Sequence, residues 1–160
     1  MERYLFAYGT LRHRAVDRQK RILQGFKMFA PIGDGNVQIG FPCVYYGNSS
    51  DYIYGNLINV EDWAPYDMYE SEGSLYDRID ITQAVEDQRG LAAWGLSADS
   101  SVQIYVAGEH LMRYQWKPIG PDWLNQEEHQ GEFERGSEIA HSHKLYKIFF
   151  HTGEEILEND

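Results

Sequence analysis

The hydrophobic pattern along the chain predicts short strands separated by glycine-rich turns. Residues 3–8 are aromatic and aliphatic without a breaker, which predicts a buried strand. The runs 41–46 and 52–60 are also strand-like, and residues 101–107 alternate between apolar and polar positions. Residues 78–86 alternate in the same way, so we expect a further half-buried strand there.

Helical patterns are fewer and shorter than the strand patterns. Residues 14–24 contain helix-forming residues, and Gly25 is a natural stop signal for a helix there. A second short helix is expected over residues 62–71. Residues 87–100, which carry two glycines, are expected to be a hairpin connection. Many short strands with few helices predict an α+β fold.

The chain of 160 residues is long enough for one domain with an extension. Apolar residues make up 42% of it, which suffices for a hydrophobic core. We expect residues 1–124 to form the domain. Residues 125–160 contain nine acidic and three basic side chains, and we interpret them as an acidic C-terminal extension that packs in part on the same domain. Within the extension, only residues 145–150 read as a strand.

The net charge of −11 narrows the possible partners. Nonspecific nucleic-acid binding and docking onto anionic lipid both need a basic surface, so neither is expected. No apolar run approaches the length of a membrane helix, and the N-terminus lacks the apolar stretch of a signal peptide. Cys43 is the only cysteine and lies in an apolar run, which predicts a buried, inert thiol. These features favour a soluble cytoplasmic protein.

The basic side chains are concentrated at the start of the chain. Residues 1–27 contain seven basic and two acidic residues, so the remainder is strongly acidic. This segment could form a local anion site, or it could be a solvated surface that pairs with acidic neighbours. Charge runs usually solvate surfaces, which favours the second interpretation.

Four segments carry a resemblance to a known family. The first contains Tyr8-Gly9-Thr10-Leu11 after an apolar strand, and the third has Glu70 followed at fixed spacing by Tyr76 and Arg78. In order along the chain the four segments are residues 4–12, residues 40–60 with their Gly-Phe-Pro and Tyr-Gly-Asn-Leu motifs, residues 66–78, and residues 102–106. Together they resemble the gamma-glutamylcyclotransferase-like family, and Thr10 favours its Tyr-Gly-Thr-Leu branch of gamma-glutamylamine cyclotransferase type.

This resemblance implies a fold, a reaction and a substrate class. The implied fold is a small mixed β-barrel with flanking helices. The implied reaction releases 5-oxoproline and a free amine from a gamma-glutamyl-amine or gamma-glutamyl-amino-acid compound. No cofactor or metal is required, and the expected partner is the small-molecule substrate, bound by a monomer or a homodimer. The alternative is a binding or regulatory module of the same fold that has no turnover.

The resemblance also assigns roles to individual residues. Glu70 stands at the general acid/base position, and its apolar sequence neighbours Tyr69 and Leu75 favour a pocket around it. Tyr105 is expected either to line the pocket or to be an ordinary core tyrosine. The implied substrate-binding residues are Tyr8, Gly9, Thr10, Leu11 and Tyr105.

The loop that contains Tyr8 is expected to lead from a strand into a helix, whose N-terminus would attract an anion. Arg12 could attract the substrate carboxylate, or it could be an ordinary surface arginine. Asp67 and Arg78 are expected to be structural, with Arg78 in an ion pair near Glu70. Glu72 is a weaker candidate for the catalytic carboxylate.

Three histidines could bind zinc, although their spacing fits no standard site. They are His141, His143 and His151.

Two positions depart from the family pattern without touching its catalytic positions. Tyr66 stands where leucine is usual, and Asn56 stands where glutamate is frequent.

Overall fold

The computed structural model describes residues 2–9, 11–12, 15, 19–32, 42–70, 72–73 and 75–123. The described chain forms eight strands and three α-helices. In chain order they are β1 (Arg3–Ala7), β2 (Arg21–Gln24), β3 (Phe26–Ile32), β4 (Cys43–Tyr46), β5 (Tyr52–Asn59), α1 (Ala64–Glu70), β6 (Tyr76–Asp80), α2 (Thr82–Gln88), β7 (Ser101–Ala107), α3 (Glu109–Met112) and β8 (Gln115–Pro118).

The strands form two sheets. The larger sheet has the order β2-β5-β1-β7-β6, and the smaller one has the order β4-β3-β8. β1 and β7 run parallel, whereas the other neighbours are antiparallel. The α+β class is therefore confirmed. The barrel expectation needs correction, because the strand ladders of the described residues form two separate sheets that do not close into a barrel.

β1 is the central strand of the larger sheet and is buried on both faces. Leu5 and Ala7 belong to one hydrophobic cluster, whereas Phe6 belongs to a second cluster. Because both faces are covered, this strand reads in sequence as an unbroken apolar run rather than an alternating one. The first cluster also contains Tyr105 of β7 and Cys43 of β4, so the core extends from the larger sheet to the smaller one.

The helix expected over residues 14–24 is wrong across its described C-terminal part. Residues 21–24 form β2, which pairs antiparallel with β5. Arg21 and Leu23 are buried while Gln24 is exposed, so the side chains alternate as in a strand. The alternation is not visible in the sequence because the buried residue at position 21 is an arginine. Arg21 can be buried because its guanidinium donates to the carbonyl oxygens of Gln19 (3.0 Å) and Trp94 (2.8 Å). Gly25 connects two strands with φ of 90°.

The strand expected over residues 78–86 ends after Asp80, and its second half is helical. Ile81 and Val85, four residues apart, are both buried, and the Val85 amide donates to the Ile81 carbonyl oxygen at 3.0 Å. The Asp80 carboxylate accepts a hydrogen bond from the Thr82 amide at 2.8 Å, at the start of α2. The connection to β7 is consequently α2 followed by a 3₁₀ turn (Ala92–Trp94), not a simple hairpin.

Five of the other described elements agree with the predictions, whereas β3, α3 and β8 have no predicted counterpart. β1, β4, β5, β7 and α1 lie where the apolar patterns place them, within a few residues at each end. The strand expected over residues 145–150 and the acidic extension lie outside the described residues. The boundary at residue 124 therefore stays a prediction.

One glycine of β5 is required by close packing against β1. A Cβ atom at Gly55 would lie 2.5 Å from the Phe6 ring and 2.8 Å from the Ala7 carbonyl oxygen. We expect Gly55→Ala to lower the free energy of unfolding by about 1–3 kcal/mol, because neither neighbour can move without disturbing the central strand. Urea unfolding monitored by tryptophan fluorescence measures this change.

Gly9→Ala is the matched control for this prediction. A Cβ atom there would lie 3.1 Å from Cγ of Pro42, which is a milder contact. Equal losses of stability in the two variants would contradict the packing argument.

Candidate active site

Glu70 is the last residue of α1, and local sequence explains why the helix ends there. The helix begins after Asp62, whose carboxylate accepts a hydrogen bond from the Ala64 amide at 3.0 Å. Pro65 follows in the first turn, where its missing N–H is tolerated. Gly73, with φ of 84°, then reverses the chain toward β6. Glu70 is half-buried at this end, as the apolar neighbours in sequence indicate.

The negative charge of Glu70 acts on four side chains from different elements. They are Tyr8, Cys43, Tyr76 and Tyr105. Burial is the largest cause of the raised pKa in all four, and the charge of Glu70 raises each pKa further. These groups therefore stay protonated at neutral pH. The end of α1 thus faces the end of β1, the start of β4, and both β6 and β7.

Hydrogen bonds hold this cluster together. The Tyr8 hydroxyl donates to the carbonyl oxygen of Tyr105 at 2.6 Å. The Tyr76 hydroxyl donates to the carbonyl oxygen of Pro42 at 2.8 Å and lies 3.7 Å from the Cys43 sulfur. The hydroxyls of Tyr8 and Tyr76 and the thiol of Cys43 are thus held by contacts between segments that are far apart in the sequence.

Asp67 lies one turn before Glu70 and is held in a separate network. Its carboxylate accepts two hydrogen bonds from Arg78, at 2.8 and 3.1 Å, and one from the Tyr105 hydroxyl at 2.6 Å. The Arg78 guanidinium also lies over the Trp63 ring, 4.4 Å from its centroid. The structural roles expected for Asp67 and Arg78 are confirmed, since their ion pair ties α1 to β6.

The segment that follows β1 brings Tyr8 and Leu11 into the core, and Gly9 lies against Pro42 at the start of β4. Thr10, also expected in this loop, lies outside the described residues. Leu11 and Arg12, the described residues after this loop, form a 3₁₀ turn. Among the described residues of the segment, the Arg12 amide donates to the Gly9 carbonyl oxygen (3.1 Å) and the Ala15 amide to that of Arg12 (3.2 Å). The helix-dipole argument for anion binding therefore does not apply to the described part of this loop.

Arg12 is buried, with 3% of its surface exposed, so the surface interpretation is wrong. Its Nε donates to Asn56 at 2.7 Å, and its Nη1 forms an ion pair with Asp122 at 2.6 Å. Lys20 approaches the other Asp122 oxygen at 2.8 Å. Burial raises the pKa of Asp122, but hydrogen bonds and charges from Lys20 and Arg12 lower it more, to a net value below the ordinary one. These contacts agree with the expectation that the basic N-terminal segment pairs with acidic neighbours.

Asp122 and Asn56 are the residues that sequence reasoning missed. Asp122 is separated from Arg12 by 110 residues, and nothing in its local pattern distinguishes it from a surface carboxylate. Asn56 was noted only as a departure from a family pattern. The one available signal was the position of Arg12, directly after a buried segment.

The remaining sequence candidates are Glu72, Tyr105 and the three histidines. Glu72 is exposed and its backbone bridges to Tyr76. Tyr105 is a core residue by its burial, and its hydroxyl is engaged by Asp67. The three histidines lie outside the described residues, and within those residues no three potential metal ligands come together.

Comparison with family models gives one match, which spans most of the described chain. The model described as gamma-glutamyl cyclotransferase, AIG2-like, matches residues 5–125. The chain belongs to this family. Membership confirms the resemblance seen in the four segments, and it indicates gamma-glutamyl cyclotransferase chemistry in general terms. Neither curated proteins nor solved structures gave a match.

The two departures from the gamma-glutamyl cyclotransferase pattern have structural explanations. Tyr66 packs partly buried against the first core cluster, with its ring 6.4 Å from that of Trp63. Asn56 accepts a hydrogen bond from Arg12, whose countercharge comes from Asp122. A neutral side chain at position 56 is therefore compatible with the buried arginine.

None of the helices within the described ranges has the length and apolar character needed to cross a bilayer.

The environment of Cys43 predicts an unreactive thiol. The side chain is 0% exposed, and burial raises its pKa from the ordinary value of 9.0, with Glu70 raising it further although Tyr76 opposes the shift. At pH 8.5 the group should remain a thiol, and only the thiolate reacts. We expect Ellman's reagent to react slowly with the folded protein and rapidly in denaturing urea. Fast labelling of the folded protein at pH 8.5 would contradict this prediction.

Proposed function

We propose that the protein is a gamma-glutamyl cyclotransferase that releases 5-oxoproline and a free amine from a gamma-glutamyl-amine or gamma-glutamyl-amino-acid compound. Family membership supports the reaction class. The observation that carries the proposal is the half-buried position of Glu70 at the end of α1, where its charge adds to the raised pKa of Tyr8 in the Tyr-Gly-Thr-Leu segment.

The reaction is an internal acyl transfer in which all atoms of the substrate appear in the products. The α-ammonium group of the glutamyl moiety loses a proton, and its nitrogen attacks the γ-carbonyl carbon. A five-membered ring closes as this C–N bond forms, and the bond to the departing nitrogen breaks. Orientation of the two reacting groups contributes much of the rate, since well-placed internal reactions reach effective molarities of about 10⁵–10⁸ M.

Proton transfer is the task left for the protein, and Glu70 is the described group suited to it. It would accept the proton from the ammonium and then deliver a proton to the departing amine. The neighbouring tyrosines and Cys43 have raised pKa values, so they stay protonated and are poor bases. Asp67 already accepts three hydrogen bonds from Arg78 and Tyr105. The family resemblance assigns the general acid/base position to Glu70 and not to Asp67.

The loop of Tyr8, Gly9, Thr10 and Leu11 would hold the glutamyl moiety in this proposal, with Tyr105 behind it. Gly9 packs closely against Pro42, next to Cys43 of the Glu70 cluster, so the glycine keeps the loop backbone close to the start of β4. The fixed phenol groups are neutral, so they would orient the substrate as hydrogen-bonding or apolar contacts. We expect no cofactor, because the nucleophile and the electrophile are both part of the substrate.

The proposed role of Glu70 in proton transfer can be tested by substitution. We expect Glu70→Gln to reduce 5-oxoproline release by at least about 10²-fold, because the amide keeps the shape but cannot take the proton. Release is measured by mass spectrometry with a panel of gamma-glutamyl-amines, gamma-glutamyl dipeptides and glutathione.

Glu72→Gln is the matched control, since Glu72 is exposed and two residues away. Unchanged turnover in Glu70→Gln would refute the assignment. Absence of release from every compound by the folded parent would refute the proposed activity on these substrates and favour the non-catalytic binding module.

The proposed role of the loop in substrate binding can be tested at Gly9. We expect Gly9→Val to abolish substrate binding while the fold survives, because a branched side chain would occupy the space beside Pro42. Affinity for the best gamma-glutamyl compound is measured by calorimetry in the Glu70→Gln background, where turnover does not interfere. Circular dichroism reports the fold, and normal affinity in the folded double variant would contradict the loop assignment.

A further inference from the structure

Arg12 directly follows the proposed substrate loop, and its buried guanidinium joins two side chains from other parts of the fold. We propose that Asp122 and Asn56 act through Arg12 as positioning residues that fix the described residues of this loop, Tyr8, Gly9 and Leu11, and so set substrate affinity. This inference rests on the proposed function, which assigns the loop to the glutamyl moiety.

The guanidinium uses two different nitrogens for its two partners. Nε donates to the Asn56 side-chain oxygen at 2.7 Å, and Nη1 donates to Asp122 Oδ1 at 2.6 Å. All three residues are buried, with exposed fractions of 3% for Arg12, 5% for Asn56 and 6% for Asp122. A planar fork with two fixed partners determines the orientation of the side chain, and not only its charge.

Both partners are themselves anchored to the sheet. Asn56 lies on β5 opposite Ala7 of β1, and its amide nitrogen donates to the Gln19 carbonyl oxygen at 3.1 Å. Asp122 follows Pro121, whose carbonyl oxygen accepts a hydrogen bond from the Tyr54 amide of β5 at 2.9 Å. The fork is thus held between two points that are connected to the same strand.

The backbone of Arg12 transmits this position to the loop. Its amide donates to the Gly9 carbonyl oxygen at 3.1 Å, and the intervening Leu11 is 7% exposed in the core. A shift of Arg12 would therefore move the peptide at Gly9, which is where the ligand is expected to contact the backbone. The chain that leaves β1 is pinned at both sides of its turn, by Tyr8 bonded to Tyr105 and by Arg12 bonded to Asp122.

Two variants test this inference, with a third as control. Asp122→Asn removes the charge and keeps the shape, whereas Arg12→Lys keeps the charge and removes the fork. Lys20→Met removes the other cation that contacts Asp122. The Lys20 side chain is 48% exposed, so its contribution should be small. Each protein is compared with the parent by steady-state kinetics of 5-oxoproline release and by amide hydrogen exchange of peptides covering residues 8–12 and β7.

We expect KM to rise by about tenfold in Asp122→Asn and Arg12→Lys while kcat changes by less than about threefold. The loop would bind the substrate and the transition state equally well, so its loss weakens binding without slowing the chemical step. Exchange should accelerate in the loop peptide and remain unchanged in β7. Lys20→Met should resemble the parent in both measurements. If Asp122→Asn fails to fold, the Arg12→Lys variant alone tests the inference, because its lysine can still pair with Asp122 in the buried site.

Other outcomes overturn the inference. A folded Arg12→Lys variant with the KM and loop exchange of the parent would show that only the charge matters. Faster exchange in β7 as well as in the loop would show a general loss of stability instead of a positioning role. If the parent releases no 5-oxoproline, the proposed function fails by itself. Loop exchange then decides the structural part, since unchanged rates in Asp122→Asn and Arg12→Lys refute the anchoring of the loop.

Discussion

The burial of β1 on both faces is the constraint on which the rest of the structure depends. From Leu5 to Ala7 both faces of the strand are covered, so a polar ligand cannot reach this part, and the proposed substrate loop lies where the strand ends. After Ala7 the chain leaves this core through Tyr8 and Gly9, beside the start of β4 and the end of α1. The position of the candidate site is therefore a consequence of the central strand, and Glu70 reaches it because α1 ends at the same place.

Two ion pairs lie on either side of this site, and each of them holds its charged side chains in a fixed position. Arg78 holds Asp67 on the α1 side, and Asp122 holds Arg12 on the loop side. The Arg12–Asp122 pair is buried and the Asp67–Arg78 pair part-buried, and each pair has further polar partners, namely Asn56 and Lys20 in the first and Tyr105 and Gln103 in the second. Both ion pairs hold charged side chains in place around the candidate site, and Glu70, the proposed general acid/base, acts on tyrosines that stay protonated.

The sequence was sufficient for the parts of the fold whose determinants are local. β1, β5 and β7 follow from their apolar patterns, whereas the role of Glu70 is implied only by the family resemblance of residues 66–78 and stays a prediction. β2 was missed because its inward residue is Arg21, whose buried polar contacts come from segments that no local pattern identifies. α2 was missed because the polar residues after Asp80 fit both periods, and only the pairing of Val85 with Ile81 in the core decides between them. The contact of Arg12 with Asp122 joins residues 110 positions apart, so it is a property of the tertiary structure alone.

That long separation also sets an order of events during folding. Closing a loop of 110 residues costs entropy that local contacts do not compensate, so the contact forms only after the intervening sheet has brought its ends together. The N-terminal turn is synthesised early, but its buried arginine has no countercharge until Asp122 arrives. The buried position of Arg12 consequently depends on a contact that can close only when the end of the described chain is in place.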